Sequence, residues 1–280
     1  MNNFSLDDFI KVAISEDIGD GDHSSLACIP SDKKGKAKLL IKQTGVLAGV
    51  EIAHKIFNYI DSSLKLEIFL KDGYQIKPGD IAFIVTGNTQ SILKSERLVL
   101  NIMQRMSGIA TITNEFVKEI SGTGAKILDT RKTTPGFRYF EKMAVKIGGG
   151  ENHRMGLYDM IMLKDNHIDY AGGIRKAITR AQDYLKSNKR TLKIEIEARN
   201  LDDIKEILAT GGVNRIMLDN FTPELTCEAV LLINGRYETE SSGGITLETI
   251  RSFAETGVNY ISVGALTHQI KSLDMSLKAI

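Results

Sequence analysis

A chain of 280 residues has room for one large domain or two smaller ones, and with 42% apolar residues it can bury a sizeable core. Its 36 basic and 35 acidic residues nearly cancel, which excludes the global basic field of a nucleic-acid binder, so any anion site has to be local. Cys28 and Cys227 are far apart and lack metal-ligand spacing, which excludes a disulfide framework and points to a reducing compartment.

The N-terminal stretch Met-Asn-Asn-Phe-Ser-Leu-Asp-Asp lacks the basic and apolar regions of a signal peptide, and no apolar run approaches the ~20 residues that span a bilayer. The expectation is a cytoplasmic protein with neither membrane nor nucleic acid as partner. Ser5 with Asp8 resembles a capping box opening a helix through about Ser15, with Phe9, Ile10, Val12 and Ala13 on its buried side. Asp20, Asp22 and His23 then read as a solvated turn, since no fixed ligand spacing follows. Strands are expected over Ala37–Lys42, Leu64–Lys71 and Ile81–Thr86, and a helix over Glu51–Tyr59. Several strands with few helices suggest a separate α+β domain, placed at residues 1–112. Ser91–Gly122 reads as mostly helical, with Gly108 marking a break between two helices.

From Lys126 onward the pattern alternates β and α. Candidate strands are Lys126–Asp129, Met160–Lys164, Lys193–Glu197, Arg215–Asp219, Tyr237–Ser241 and Tyr260–Val263. Candidate helices include Ile174–Ser187, Leu201–Thr210, Pro223–Leu232 and Leu247–Thr256. Parallel strands with crossover helices are the expected arrangement, an α/β (β/α) barrel over residues 113–280, with the C-terminal tail packing back on the N-terminal domain. Ala144–Ile147 reads equally well as a further strand or as helix.

Polar residues cluster where the apolar runs stop. Arg131 and Lys132 follow the first strand of the series, and Lys164 ends the second, with His153 and Arg154 shortly before it. The C-terminal ends of barrel strands form the active-site face, and converging cations there suggest an anionic substrate. Glu195-Ile-Glu197 sends two carboxylates to one face of its strand, which a barrel interior or mouth tolerates. Asp219, at another strand end, fits a helix cap as well as it fits catalysis. Ser242-Gly243-Gly244 and Gly264-Ala265 follow the last two strands, where barrels commonly bind phosphate. The residues alone thus suggest a barrel enzyme acting on a phosphorylated polyanion. A Schiff-base aldolase using Lys132 or Lys164, and a non-catalytic anion-binding barrel, remain alternatives.

Four motifs carry a family resemblance: Asp-Thr-Arg-Lys-Thr-Thr-Pro-Gly at 129–136, Gly-Gly-Gly-x-Asn-His-Arg-Met-Gly-Leu at 148–157, Lys-Asp-Asn-His at 164–167 and Met-Leu-Asp-Asn-Phe at 217–221. The chain resembles the quinolinate phosphoribosyltransferases (nicotinate-nucleotide pyrophosphorylases, carboxylating) of NAD biosynthesis over nearly its whole length. The resemblance implies a seven-stranded barrel and a reaction of quinolinate with phosphoribosyl pyrophosphate, giving nicotinate mononucleotide, carbon dioxide and pyrophosphate. It implies that Arg105, Arg131, Lys132, His153, Arg154 and Lys164 hold the two carboxylates and the pyrophosphate. Glu197 and Asp219 would contact the ribose and Mg2+, with Lys132, Glu197 and Asp219 as the catalytic set. Ser242, Gly243, Gly244, Gly264 and Ala265 would take the 5-phosphate. It also implies a homodimer in which Arg105 crosses to the partner's site. After Glu197 the chain departs from the family pattern with Ala198-Arg199-Asn200, which keeps Glu195 as an alternative glutamate.

Overall fold

The computed structural model describes residues 4–280, so the first three residues of the N-terminal stretch lie outside it. In chain order the elements begin with α1 (Leu6–Ile18), α2 (His23–Cys28), β1 (Lys34–Ile41), β2 (Gly45–Val46), α3 (Val50–Ile60), β3 (Lys65–Ile68), β4 (Gln75–Ile76), β5 (Ile81–Asn88) and α4 (Thr89–Glu119). They continue with β6 (Lys126–Leu128), α5 (Arg138–Ile147), β7 (Ile161–Leu163), α6 (Asp165–Ala171), α7 (Ile174–Ser187), β8 (Ile194–Ala198) and α8 (Leu201–Thr210). The last are β9 (Arg215–Asp219), α9 (Pro223–Ile233), β10 (Glu238–Ser242), α10 (Ile250–Ala254), β11 (Tyr260–Ser262), α11 (Ala265–His268) and β12 (Met275–Ala279). They fall into two units: 4–112 with Pro135–Gly149 and Ile270–Ile280, and Thr113–Thr134 with Gly150–Gln269.

The first unit is built on an antiparallel sheet in the order β12-β1-β5-β3. Strand β1 alternates as a half-buried strand should, burying Ala37, Leu39 and Ile41. Helix α3 buries Ile52, Ala53, Ile56 and Phe57, and the Phe57 ring meets Phe83 of β5 edge-on at 5.9 Å. Ser5 caps α1 as expected, its Oγ accepting from the Asp8 amide at 3.1 Å. Two stretches beyond residue 112 belong to this unit. The tail strand β12 pairs with β1 from Ala37–Ala279 to Ile41–Met275. Residues Pro135–Gly149, expected with the barrel, group here because Phe137 and Phe140 stack into an aromatic cluster with Phe9, the Phe9–Phe140 centroids 4.7 Å apart.

The expected break at Gly108 is absent: α4 runs unbroken from Thr89 to Glu119. Gly108 instead serves close approach. A Cβ there would clash with the main-chain carbonyl oxygen of Lys271 and lie 3.1 Å from its carbon.

The second unit holds a parallel sheet in the order β6-β11-β10-β9-β8-β7. Its registers run, for example, Ile161–Ile194, Glu197–Met217, Ser242–Asp219 and Ile261–Ile127. Buried Ile and Ala residues of β8, β9 and α6 to α9 form one continuous core. Ala144–Ile147 is helical, inside α5, and the residue that bridges to the free side of β6 is Glu151, in parallel with Leu128. The helix expected over Leu247–Thr256 shortens to α10, because a turn closes ahead of it: the Thr249 amide donates to Thr246 O (3.2 Å) and the Thr246 amide to Thr249 Oγ1 (3.0 Å). Among the described residues no helix is long and apolar enough to cross a membrane.

Candidate active site

The parallel sheet delivers its polar residues at one end. Directly after β6, Asp129 is fully buried, which demands partners for its carboxylate. It accepts from the His153 amide (2.9 Å) and from Asn152 Nδ2 (2.5 Å), so the 152–154 segment is tied to the end of β6. The following turn presents Arg131 and Lys132, both exposed. It is held by the Lys132 amide on Thr130 Oγ1 (3.1 Å) and by Thr267 Oγ1 of α11, which donates to the Lys132 carbonyl (2.7 Å). Gly264 is needed beside this turn. A Cβ there would lie 2.9 Å from His268 Nε2 and 3.1 Å from Lys132 Cδ, so the glycine lets both side chains pack against the end of β11. His268 carried no signal in the sequence.

Lys164, at the end of β7, pairs through Nζ with Glu197 Oε1 from the end of β8. The second Glu197 oxygen accepts from the Asp165 amide at 3.2 Å, at the start of α6. His167 is an element of that helix start: its Nδ1 accepts from the Lys164 amide at 3.0 Å. Asp219, at the end of β9, is raised above the usual carboxylate range by burial and then by the charge of Glu197. It is not a helix cap, because Thr222 Oγ1 caps α9 by accepting from the Leu225 amide. Asn220, at φ 57°, donates to Asp219 Oδ2 (2.8 Å), and its amide donates to Ser242 O (2.8 Å). Gly243 (φ 101°) and Gly244 (φ 61°) then turn left-handed in succession, and a Cβ on Gly243 would overlap the Asn220 side-chain oxygen. The strand-end acids and the glycine turn are thus one packed assembly.

The departure after Glu197 has a structural explanation. Ala198 is buried in β8, Arg199 pairs with Asp203 (3.2 Å) and Asp169 (3.1 Å), and Asn200 caps α8 by accepting from the Asp203 amide (2.9 Å). The two glutamates separate by depth. Glu197 joins Lys164 at the strand end, whereas Glu195 lies beneath, fully buried, with His153 Nε2 at 3.0 Å and Arg215 Nη1 at 4.0 Å.

His153 is turned inward, its side chain 4% exposed. Nε2 also lies 3.3 Å from Glu240, and Arg215 Nη1 lies 2.8 Å from the same Glu240 oxygen. Burial disfavours a charged His153 ring, whereas its hydrogen bonds to Glu195 and Glu240 favour one and pull the pKa up to about 9. The Arg154 amide opposes the second proton. It donates to Nδ1 at 2.7 Å, and an imidazolium would set two N–H groups head to head. The contact at Nδ1 thus acts against the upward pull that the two carboxylates exert at Nε2. Burial and then the charge of Glu240 push Glu195 up to about 7. For Glu240 burial acts upward, but the His153 hydrogen bond and the Arg215 charge hold it low. His153, Glu195 and Glu240 are spaced closely enough to ligate a metal ion, but Arg215 already supplies the positive charge there. Neither Glu240 nor Arg215 was expected in the site. The signal was the alternation Glu238-Thr-Glu240, which repeats that of Glu195-Ile-Glu197.

Arg154 is half-buried, and burial followed by the charge of Arg131 lowers its pKa, against the pull of Glu195, Asp159 and Glu197. Arg105 belongs to the other unit, on α4, where its Nε (2.7 Å) and Nη2 (2.6 Å) grip the buried Glu141. Glu141 too went unread in the sequence.

The domain family described as quinolinate phosphoribosyl transferase, C-terminal domain, matches residues 109–278, and its N-terminal counterpart matches 22–107. The chain belongs to the quinolinate phosphoribosyltransferase family. A Nicotiana tabacum member named as a decarboxylating, mitochondrial quinolinate phosphoribosyltransferase is 47% identical, covering 98% of this chain and 82% of its own. A Bacillus subtilis relative, named a probable carboxylating nicotinate-nucleotide pyrophosphorylase, is 41% identical over 99% of this chain and 94% of its own. The crystal structure of NadC from Streptococcus pyogenes superposes with a TM-score of 0.93 at 39% identity, covering 99% of this chain and 98% of that one. The family fold therefore extends through both units.

Proposed function

We infer that this chain transfers a phosphoribosyl group from phosphoribosyl pyrophosphate to quinolinate, releasing pyrophosphate and carbon dioxide and leaving nicotinate mononucleotide, a step of NAD biosynthesis. The observation that carries this reading is the pairing of cations with acids at one end of the sheet. Arg131, Lys132, Arg154 and Lys164 stand with Glu197 and Asp219, in a chain of this family. The charges of Arg131 and Arg154 oppose each other, and a dicarboxylate bound by both would relieve that opposition. The ring nitrogen attacks the anomeric carbon as pyrophosphate departs, and Lys132 and Lys164 stabilise the charge that leaves. The bond from C2 to its carboxylate then breaks, its electron pair stays on C2 beside the cationic ring nitrogen, and C2 takes up a proton. Arg131 and Arg154 hold the ring in place through that step.

Glu197 and Asp219 fit a hard divalent cation, because their charges act on each other. Magnesium, when bound, neutralises clustered pyrophosphate oxygens. The same acids are positioned to steady the cationic ribosyl group. Ser242, Gly243, Gly244, Gly264 and Ala265 are assigned to the 5-phosphate, a role the left-handed glycine turn suits. Glu197, next to Lys164, is preferred to the deeper Glu195. The parallel sheet is read as a seven-stranded barrel, a reading supported by the Leu128–Glu151 bridge. Arg105 is assigned to the site of a two-fold partner, since Glu141 holds it in the unit that lacks the other cations. Free, exposed Cys28 and Cys227 suit a reducing compartment such as the cytoplasm.

Quinolinate is expected to be turned over and nicotinate is not. A site with cations for two carboxylates loses several kcal/mol of binding when one set stays unpaired, on the order of 10^3-fold in kcat/KM. Parallel assays with magnesium and phosphoribosyl pyrophosphate measure this, and comparable rates with nicotinate would overturn the reading.

A further inference from the structure

We propose that Glu240, paired with Arg215, is a positioning residue for the substrate-carboxylate subsite, acting through an inward-facing His153 that fixes Arg154 and does not itself ligate substrate. The proposal rests on the quinolinate reading above. His153 uses both ring nitrogens within the protein: Nε2 toward Glu195 (3.0 Å) and Glu240 (3.3 Å), and Nδ1 as acceptor for the Arg154 amide (2.7 Å). Asp129 holds the other edge of the same segment through the His153 amide (2.9 Å) and Asn152 Nδ2. The main chain that carries Arg154 is thereby clamped between the end of β6 and the buried carboxylates of β8 and β10. The clamp has work to do, because the charge of Arg131 opposes that of Arg154. Preorganised charges of this kind favour the bound dicarboxylate only if the scaffold keeps them from drifting apart. Glu240 in turn keeps its place through Arg215 (2.8 Å), which is seated 4.0 Å over the Tyr260 ring.

Two measurements test this. In the unaltered protein, the 15N spectrum of the histidine rings, with the His153 signals assigned by their loss in His153→Asn, should show a neutral ring with an unprotonated Nδ1. Saturating quinolinate should leave those signals in place, and later addition of phosphoribosyl pyrophosphate and magnesium to the same sample should start turnover. An imidazolium, or ring-nitrogen signals that move with quinolinate as direct ligation requires, would overturn the proposal. If that sample makes no nucleotide, the quinolinate reading fails, a result separate from the state of the ring. The second measurement uses Glu240→Leu combined with Arg215→Met, which removes the buried pair as a unit and should leave the fold cooperative. The KM for quinolinate should rise about tenfold or more, and the KM for phosphoribosyl pyrophosphate should stay within about twofold. An unchanged quinolinate KM in this folded variant, or equal rises in both, would contradict positioning through His153.

Discussion

Lys164→Ala is expected to lower kcat by about 10^3-fold, the loss typical when a charge-stabilising donor is removed from a closed site. Lys164 is the cation paired with Glu197, whose side chain is only 6% exposed. Without it, Glu197 keeps the Asp165 amide but faces the charge of Asp219 uncompensated, and burial has already raised Asp219. Two carboxylates left in that relation resist full ionisation, so the variant loses a cation for the departing pyrophosphate and also disturbs the acids assigned to the ribose. Lys132→Ala is expected to lose activity to a similar degree through the pyrophosphate alone. Both lysines are exposed at strand ends, outside the apolar core, so thermal unfolding of either variant should remain cooperative. Single-turnover kinetics with a calorimetric scan measure both. Near-normal kcat in a folded Lys164→Ala protein would remove Lys164 from the mechanism, whereas lost cooperativity would make its role structural.

The second large effect concerns assembly. In the two-fold dimer proposed here, Arg105→Ala and Lys132→Ala subunits are each expected to be inactive alone, and mixing them after dissociation and reassociation is expected to restore activity. In a hybrid dimer one site lacks both side chains and the other has both. Random exchange makes half of the dimers hybrids, so about a quarter of wild-type activity should return under two-fold symmetry. Arg105 and its buried partner Glu141 belong to the first unit, while Lys132, Arg154 and Lys164 belong to the second. Exchange is followed by mass-tagging one variant. Demonstrated hybrids without recovered activity would place Arg105 in its own chain's site or in none.

Much of this architecture was legible from residues alone, for a physical reason. Short apolar runs that end in charged residues mark buried parallel strands, and Met-Ile-Met-Leu before Lys164 and Arg-Ile-Met-Leu before Asp219 became β7 and β9. What sequence spacing could not convey was which side chains meet across strands. Arg215, Glu195 and Glu240 come from three neighbouring strands, and their partnership exists only once the registers Glu195–Arg215 and Glu240–Met217 are set. A histidine among basic motif residues reads as one more anion ligand, and spacing does not say what its ring nitrogens face, which for His153 is Glu195 and Glu240 at Nε2 and the Arg154 amide at Nδ1. Gly108 failed as a helix break because glycine answers two needs, chain reversal and close approach, and the sequence does not say which. Residues Pro135–Gly149 were assigned with the strand they follow, while aromatic packing groups them with the N-terminal unit.

The central claim is that the cations of this site take a pyridine dicarboxylate and direct the loss of one particular carboxylate. Quinolinate labelled separately in its 2- and 3-carboxylates, incubated with phosphoribosyl pyrophosphate and magnesium, tests it most directly. All label from the 2-carboxylate should leave as carbon dioxide, one for each pyrophosphate formed, and all label from the 3-carboxylate should stay in the nucleotide. Carbon dioxide released without phosphoribosyl pyrophosphate, label lost from the 3-carboxylate, or a nucleotide that keeps both carboxylates would contradict the account.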